Sequence, residues 1–251
     1  STFAELLEAI ETFQGESAAT WYRGCNNLSY RLEPSLYRHR TKKQISEIAV
    51  LETEVTTRFV QRSLPFLQRT LVNDWDKLFL MQHYGVPTRL LDWSENPFVA
   101  IYFALTGNHT GKKADASVWM CDPIEWNRSA LSHLSFAGGI LDESSQLVRS
   151  YAPGVQFDQI PMLPIMIYGT YNSPRIVAQR GGFALFGQGT EPMETVFETK
   201  DFPTKALRKI VIEKNHLDSI RQSLFRKGFS ESVVFPDLDG LAREIRREFG
   251  F

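Results

Sequence analysis

An α+β fold is predicted for this chain, with a helical N-terminal half packed on a mixed or antiparallel sheet. Three observations carry that reading. Apolar residues recur at helical spacing through the first hundred residues, and short β-branched or aromatic runs between turn signals gather later. The two kinds of element follow one another without the strict alternation of a doubly wound sheet. At 251 residues and 43% hydrophobic content the chain is long enough to bury a sizeable core. The expectation is one domain over 1–251, helix-rich over 1–110 and strand-rich over 111–251.

Residues 2–14 carry Phe3, Leu6, Leu7, Ile10 and Phe13 on one helical face, capped by Ser1 or Thr2 and ended by Gly15. Residues 20–25 read as a short strand that brings Arg23 to a glycine. Residues 26–40 are irregular and end in the basic cluster Arg38-His39-Arg40, followed by Lys42 and Lys43, a solvated face or a greeting for a polyanion. Residues 41–62 form an amphipathic helix that stops before Pro65. Asn73 and Asp74 cap the next helix, which delivers Gln82, His83 and Tyr84 to a loop. In that loop Val86 precedes Pro87 and is pushed towards an extended conformation. Ser94 or Asn96 caps the apolar helix 98–105, with Pro97 in its first turn.

Beyond Gly107, residues 108–115 are polar and tolerant. Residues 116–121 read as a buried strand and 123–133 as a short helix. Residues 134–160 are the least periodic part and read as a mobile loop region, a candidate lid. Strands are expected at 163–168, 175–179, 182–186, 193–198 and 207–212, then a helix closed by Gly228. A last strand at 232–235 and a last helix opened by Asp237 and Asp239 complete the chain.

Composition excludes several classes. A net charge of −1 gives no basic footprint for general nucleic-acid binding. Two distant cysteines, Cys25 and Cys121, argue against a disulfide scaffold or thiolate zinc site and fit a reducing cytoplasm. No secretory signal and no apolar stretch of membrane-spanning length is apparent, so a soluble cytoplasmic protein with no membrane partner is expected. The five histidines lack paired spacing, so no metal is assigned. Phosphate loops, GxGxxG turns and GxSxG elbows are missing.

What remains is a constellation of Tyr22-Arg23-Gly24, the run from Gln82 to Pro97, and Arg175 to Phe183. An Arg among aromatics beside a residue without Cβ can approach a phosphate or carboxylate closely. The structural alternative is a loop whose His, Arg and Asp satisfy one another. Asp237 and Asp239, which have the spacing of a cation site, are better explained as helix-capping acids.

These motifs resemble an FRG domain, a family named for its Phe/Tyr-Arg-Gly motif. The resemblance rests on Trp21-Tyr22-Arg23-Gly24, Gln82-His83-Tyr84-Gly85 with Pro87-Thr88-Arg89-Leu90-Leu91-Asp92-Trp93-Ser94, Ala178-Gln179-Arg180-Gly181-Gly182-Phe183, and Phe235-Pro236-Asp237-Leu238-Asp239-Gly240. A second resemblance, to ADP-ribosyltransferases of the Arg–Ser–Glu type, implies chemistry: an ADP-ribosyltransferase-like core using NAD as substrate. It implies an NAD-binding set of Tyr22, Arg23, Gly24, His83, Tyr84, Thr88, Arg89, Asp92, Trp93 and Ser94. Arg23 would grip the phosphates or ribose, Thr88 or Ser94 would support the nicotinamide pocket, and Tyr84 or Trp93 would stack on the ring. The catalytic set is Arg23, Gln179 and Glu191. Gln179 stands where that group carries a Glu, and Glu191, Glu194 or Asp92 are the carboxylates able to stand in. The resemblance further implies transfer to a macromolecular acceptor, protein or nucleic acid, in a bacterial toxin or phage-defence setting with an antitoxin or regulatory partner. The alternative is a non-catalytic nucleotide- or anion-binding module.

Overall fold

The computed structural model describes residues 1–67, 70–106, 114–170 and 174–251. Helix α1 (Phe3–Glu16) begins at Thr2, whose hydroxyl and the Glu5 carboxylate satisfy each other's backbone N–H groups. Gly15 lies inside this helix rather than ending it. Strand β1 (Trp21–Cys25) follows, then α2 (Ile45–Ser63), which starts at Gln44 because Gln44 and Glu47 form the capping pair. Helix α3 (Asp74–His83) starts at Asn73, whose side chain accepts from Asp76 N.

Residues 90–94, read from sequence as part of a polar loop, form a strand, β2 (Leu90–Ser94). The polar residues there mislead because Asp92 alone points outward while its neighbours are buried. Helix α4 (Pro97–Leu105) is capped by Asn96, which accepts from Phe98 N at 3.0 Å. Its six buried residues explain its uniformly apolar sequence.

Strand β3 (Ala116–Cys121) and α5 (Pro123–Ala130) fall where expected. The polar loop expected at 108–115 lies outside the described residues except for Ala114 and Asp115.

The stretch 134–160 is anchored to the core at several points. It contains α6 (Gln146–Arg149), and Val148, Tyr151 and Ile160 are buried. Tyr151 donates to Leu163 O at 2.6 Å, and the Asn127 amide donates to Gly139 O and Met166 O. These long-range bonds replace the helical or alternating pattern by which sequence announces order.

Strand β4 (Ile165–Tyr168) precedes α7 (Pro174–Gln179), where a strand was expected. Pro174 sets φ for a helical first residue and sacrifices no needed N–H, which outweighs the β-branched Ile176-Val177 pair. Strand β5 (Gly181–Leu185) follows, then α8 (Met193–Thr199), a second expected strand. Its buried Met193 and Val196 lie three apart, a helical interval, and Pro192 precedes its first turn. Strand β6 (Leu207–Ile212) and α9 (Leu217–Arg226) match expectation. Residues 232–235, expected as a strand, belong mostly to α10 (Glu231–Val234), which packs on α11 (Leu238–Phe249). Gly240 permits this approach, since a Cβ there would lie 1.9 Å from Phe235 O. Asp237 caps α11 by accepting from Gly240 N, as its sequence position implied.

Among the described residues six strands form one antiparallel sheet in the order β4-β5-β2-β1-β3-β6. The two strands from the helix-rich first half therefore occupy its centre. Alternation along β3 sends Ala116, Val118 and Met120 into one core with α1, α4 and α9, and Trp119 and Cys121 into the other. Among the described residues no helix is long and apolar enough to cross a membrane.

Candidate functional site

The central seam of the sheet opens just where the Tyr-Arg-Gly motif enters it. Strands β1 and β2 are in register only at Tyr22 and Ser94, whereas β1 pairs with β3 from Trp21 to Cys25 and β2 with β5 from Leu90 to Ser94. Past Tyr22 the two strands part, and the Arg23 guanidinium spans the gap, donating from Nη1 to Asp92 O at 2.5 Å. Arg23 Nε is buried there with no hydrogen-bond partner.

Two adjoining cavities flank this seam. One, of about 320 Å³, is lined by Arg23, Arg31, Arg38, Asp92, Arg175 and Gln179 among others. The other, of about 540 Å³, shares Arg23, Arg38, Asp92 and Arg175 and adds His83, Tyr84, Phe235 and Arg243. Both fall within the ~300–1,000 Å³ usual for small-molecule sites.

The arginines are held differently. Arg31 is tied to Glu194 at 2.6 Å and Thr195 at 2.6 Å. Arg175 donates weakly to His83 O at 3.4 Å and lies over the Phe235 ring, 4.8 Å from its centroid. Arg243 lies 4.8 Å from the same centroid, so two cations share one ring. Burial lowers the pKa of Arg175, opposed by Asp92 and Asp237. Burial, reinforced by Arg175, also lowers that of His83. Guanidinium groups placed this way have the geometry to engage phosphate or carboxylate oxygens.

Asp92 is held by a chain of hydrogen bonds. Its Oδ2 accepts from Gln82 Nε2 at 2.8 Å, Gln82 Oε1 accepts from Thr88 Oγ1 at 2.5 Å, and Thr88 Oγ1 accepts from Leu90 N at 3.1 Å.

The sequence-predicted residues divide accordingly. Tyr22, Arg23, Gly24, Asp92, Trp93, Ser94 and Gln179 line the smaller cavity; His83 and Tyr84 line the larger. Thr88 and Arg89, assigned to NAD binding, are each 1% exposed and line neither. Thr88 orients Gln82 from below, and Arg89 approaches Glu52 at 2.9 Å as an ion pair, without the angle of a hydrogen bond.

Gly24 lines the cavity, but its lack of a side chain serves packing: a Cβ would lie 1.9 Å from Ala100 O of α4. The Ser94 hydroxyl is engaged by Gln179 O at 2.5 Å and Asn96 O at 3.2 Å. Gln179 Nε2 donates to Val234 O at 3.0 Å. Glu191 lies elsewhere, on a third cavity of about 760 Å³ with Lys43, His133 and Lys200. Glu194 caps towards Leu32 N at 3.0 Å.

Sequence reasoning gave no site role to Arg31, Arg38, Gln82, Phe235 or Arg243. Arg38 stood in the basic cluster read as a solvated face or a greeting for a polyanion, and Gln82 inside the quoted central run. Arg31 and Arg243 carried no local signal. Burial raises the Cys25 pKa on the cavity wall, opposed by Arg23 and Lys209. Among the described residues no group of three or more His, Cys, Asp or Glu side chains is placed to hold a metal ion.

Comparison with known families matches the FRG domain to residues 18–113. That stretch spans β1 through α4 and holds Arg23, Arg31, Arg38, Gln82 and Asp92, while Arg175, Gln179 and Arg243 come from beyond it. No curated protein and no solved structure matches the chain.

Proposed function

We propose that the seam cleft binds NAD by its diphosphate and transfers the ADP-ribosyl group to a macromolecular acceptor, protein or nucleic acid. The observation that supports this most is the gathering of Arg23, Arg31, Arg38 and Arg175 on one cavity against a single lining carboxylate, Asp92. Guanidinium pairs engage phosphate oxygens bidentately, which suits a diphosphate better than a lone carboxylate.

In this reading Arg23, already anchored to Asp92 O, orients the diphosphate across the seam. The exposed Tyr84 ring, at the mouth of the larger cavity, offers a face for a base. The bond between nicotinamide nitrogen and ribose C1′ breaks, and its electron pair leaves with neutral nicotinamide. A nucleophilic oxygen or nitrogen of the acceptor then forms the new bond to C1′ and gives up its proton.

A second reading, a non-catalytic nucleotide-binding module, is favoured by Gln179. It stands at the sequence position of the missing Glu, is uncharged, and spends its amide N–H on Val234 O. Calorimetry with NAD followed by nicotinamide assay in the same sample separates the two. Binding with release supports transfer; binding without release supports the module; no binding removes the NAD reading. Arg23→Ala is expected to weaken NAD binding by at least 10-fold, in line with ~1.5–3 kcal/mol for a charged hydrogen bond, while barely shifting the melting temperature. Unfolding of this variant would make Arg23 structural.

A further inference from the structure

Resting on the proposed nucleotide site, we infer that Asp92 selects a ribonucleotide by accepting a hydrogen bond from the ribose 2′-hydroxyl. The geometry that points there is unusual for a carboxylate among arginines. Asp92 lines both cavities with Arg23, Arg38 and Arg175, yet its carboxylate forms no ion pair among the described residues. Arg23 reaches the Asp92 backbone carbonyl instead of its side chain.

The side chain is held by a neutral amide whose orientation leaves no choice. Gln82 Oε1 is occupied by the Thr88 hydroxyl proton, so Nε2 must face Asp92. Thr88 is itself fixed, with Oγ1 accepting from Leu90 N and its backbone N donating to Ser35 Oγ at 3.3 Å. Two buried or half-buried residues therefore fix one Asp92 oxygen, Oδ2, while Oδ1 has no hydrogen-bond partner among the described residues on a side chain that lines both cavities.

A carboxylate so placed repels phosphate and is a poor device for anion binding alone. Its chemistry suits an uncharged donor carried next to a phosphate, which is the hydroxyl of a ribose phosphate. Acidic side chains serve ribose hydroxyls in this way in dinucleotide folds. The ligand class is thus a ribonucleoside diphosphate with an unmodified 2′-hydroxyl. Deoxyribonucleotides lose the bond, and 2′-phosphorylated nucleotides meet like charge.

Calorimetry of the whole chain with ADP and with 2′-deoxy-ADP tests this, since the two differ by one hydroxyl. The wild-type protein should bind ADP about 10-fold or more tighter, as expected for a hydrogen bond to a charged acceptor. Asp92→Ala should bring the ratio to about one, with deoxy-ADP bound no more weakly than before, because a group repelling phosphate is gone. Gln82→Ala keeps the carboxylate but frees it, and should give an intermediate ratio. A wild-type ratio near one, or a preference that survives Asp92→Ala, overturns the inference while leaving the nucleotide site standing. Failure of ADP, NAD and pyrophosphate all to bind removes the site itself, and the inference with it.

Discussion

Replacing Gly24 by Ala asks whether the glycine of the Tyr-Arg-Gly motif serves the ligand or the fold. A Cβ at this position would stand 1.9 Å from Ala100 O and 2.6 Å from Ala104 N. Ordinary contact begins at 3.4 Å, so α4 must retreat by about 3.4 − 1.9 = 1.5 Å. Both obstructing atoms are helix backbone, and the helix is buried against α9 and β1, so no side-chain rotation relieves the clash. Overpacking of this kind costs ~1–3 kcal/mol or more. For a chain of this size that lowers the melting temperature by roughly 2–12 °C.

Gly15 supplies the control. It lies inside α1, and a Cβ added there would have nothing within 4 Å, so Gly15→Ala should stabilise by ~0.5–1 kcal/mol. Thermal melts of the two variants should therefore move in opposite directions. A Gly24→Ala protein that melts at or above the wild-type temperature would refute the packing argument and return Gly24 to the ligand. NAD calorimetry on the same sample then shows whether moving α4 disturbs the cavity that Gly24 and Ala100 line together.

Arg89→Met should destabilise the fold by ~3–5 kcal/mol in urea titration, because it strands Glu52, 12% exposed, as an uncompensated charge; adding Glu52→Leu should recover much of the loss. Glu191→Ala should leave NAD affinity and any nicotinamide release unchanged, since Glu191 lines a separate cavity; a loss in either assay would mean that the third cavity takes part. His83 has a folded-state pKa below its ordinary 6.5, chiefly through burial and then through Arg175. The folded protein therefore binds fewer protons at this site than the unfolded chain, and stability falls as pH drops from about 7 through the depressed value. Chemical denaturation of His83→Asn over the same range should show a shallower decline; an unchanged slope would place the acid sensitivity elsewhere.

Much of the fold was legible because its elements obey local rules. Strands β1, β3 and β6 carry β-branched, aromatic or sulfur side chains between breaks, and α3, α4 and α11 announce themselves through Asn73, Asn96 and Asp237. The misread elements are those where tertiary packing decides. Helices α7, α8 and α10 have at most seven residues, too few for periodicity to compete with Ile, Val and Phe content. In β2 the polar sequence hid a strand whose Leu90, Leu91, Trp93 and Ser94 are buried. The site was legible to a similar depth. Motif residues named their neighbourhood, and Arg23, Asp92 and Gln179 do share a cavity. What spacing cannot convey is orientation: it ranked Arg89 with Arg23, although one is sealed against Glu52 and the other crosses the open seam.

The arginines lining the candidate site are not confined to the FRG-matched stretch. Residues 18–113 provide Arg23, Arg31 and Arg38, and the carboxylate that pairs with Arg31, Glu194, lies outside that stretch. Arg175 and Arg243 come from α7 and α11 and meet on Phe235, which follows α10. Placing cations from distant segments around one seam costs repulsion and, for Arg175, dehydration. The fold holds them there by backbone anchors and an aromatic face, with Asp237 turned to capping α11. A protein that sought only stability would neutralise these charges with the carboxylates at hand. Among the described residues only Arg31 of the smaller cavity's arginines has a carboxylate partner, Glu194, while the Asp92 side chain is fixed through Gln82. Residues of α7 and α11 thus line the same cavities as the β1–β2 seam.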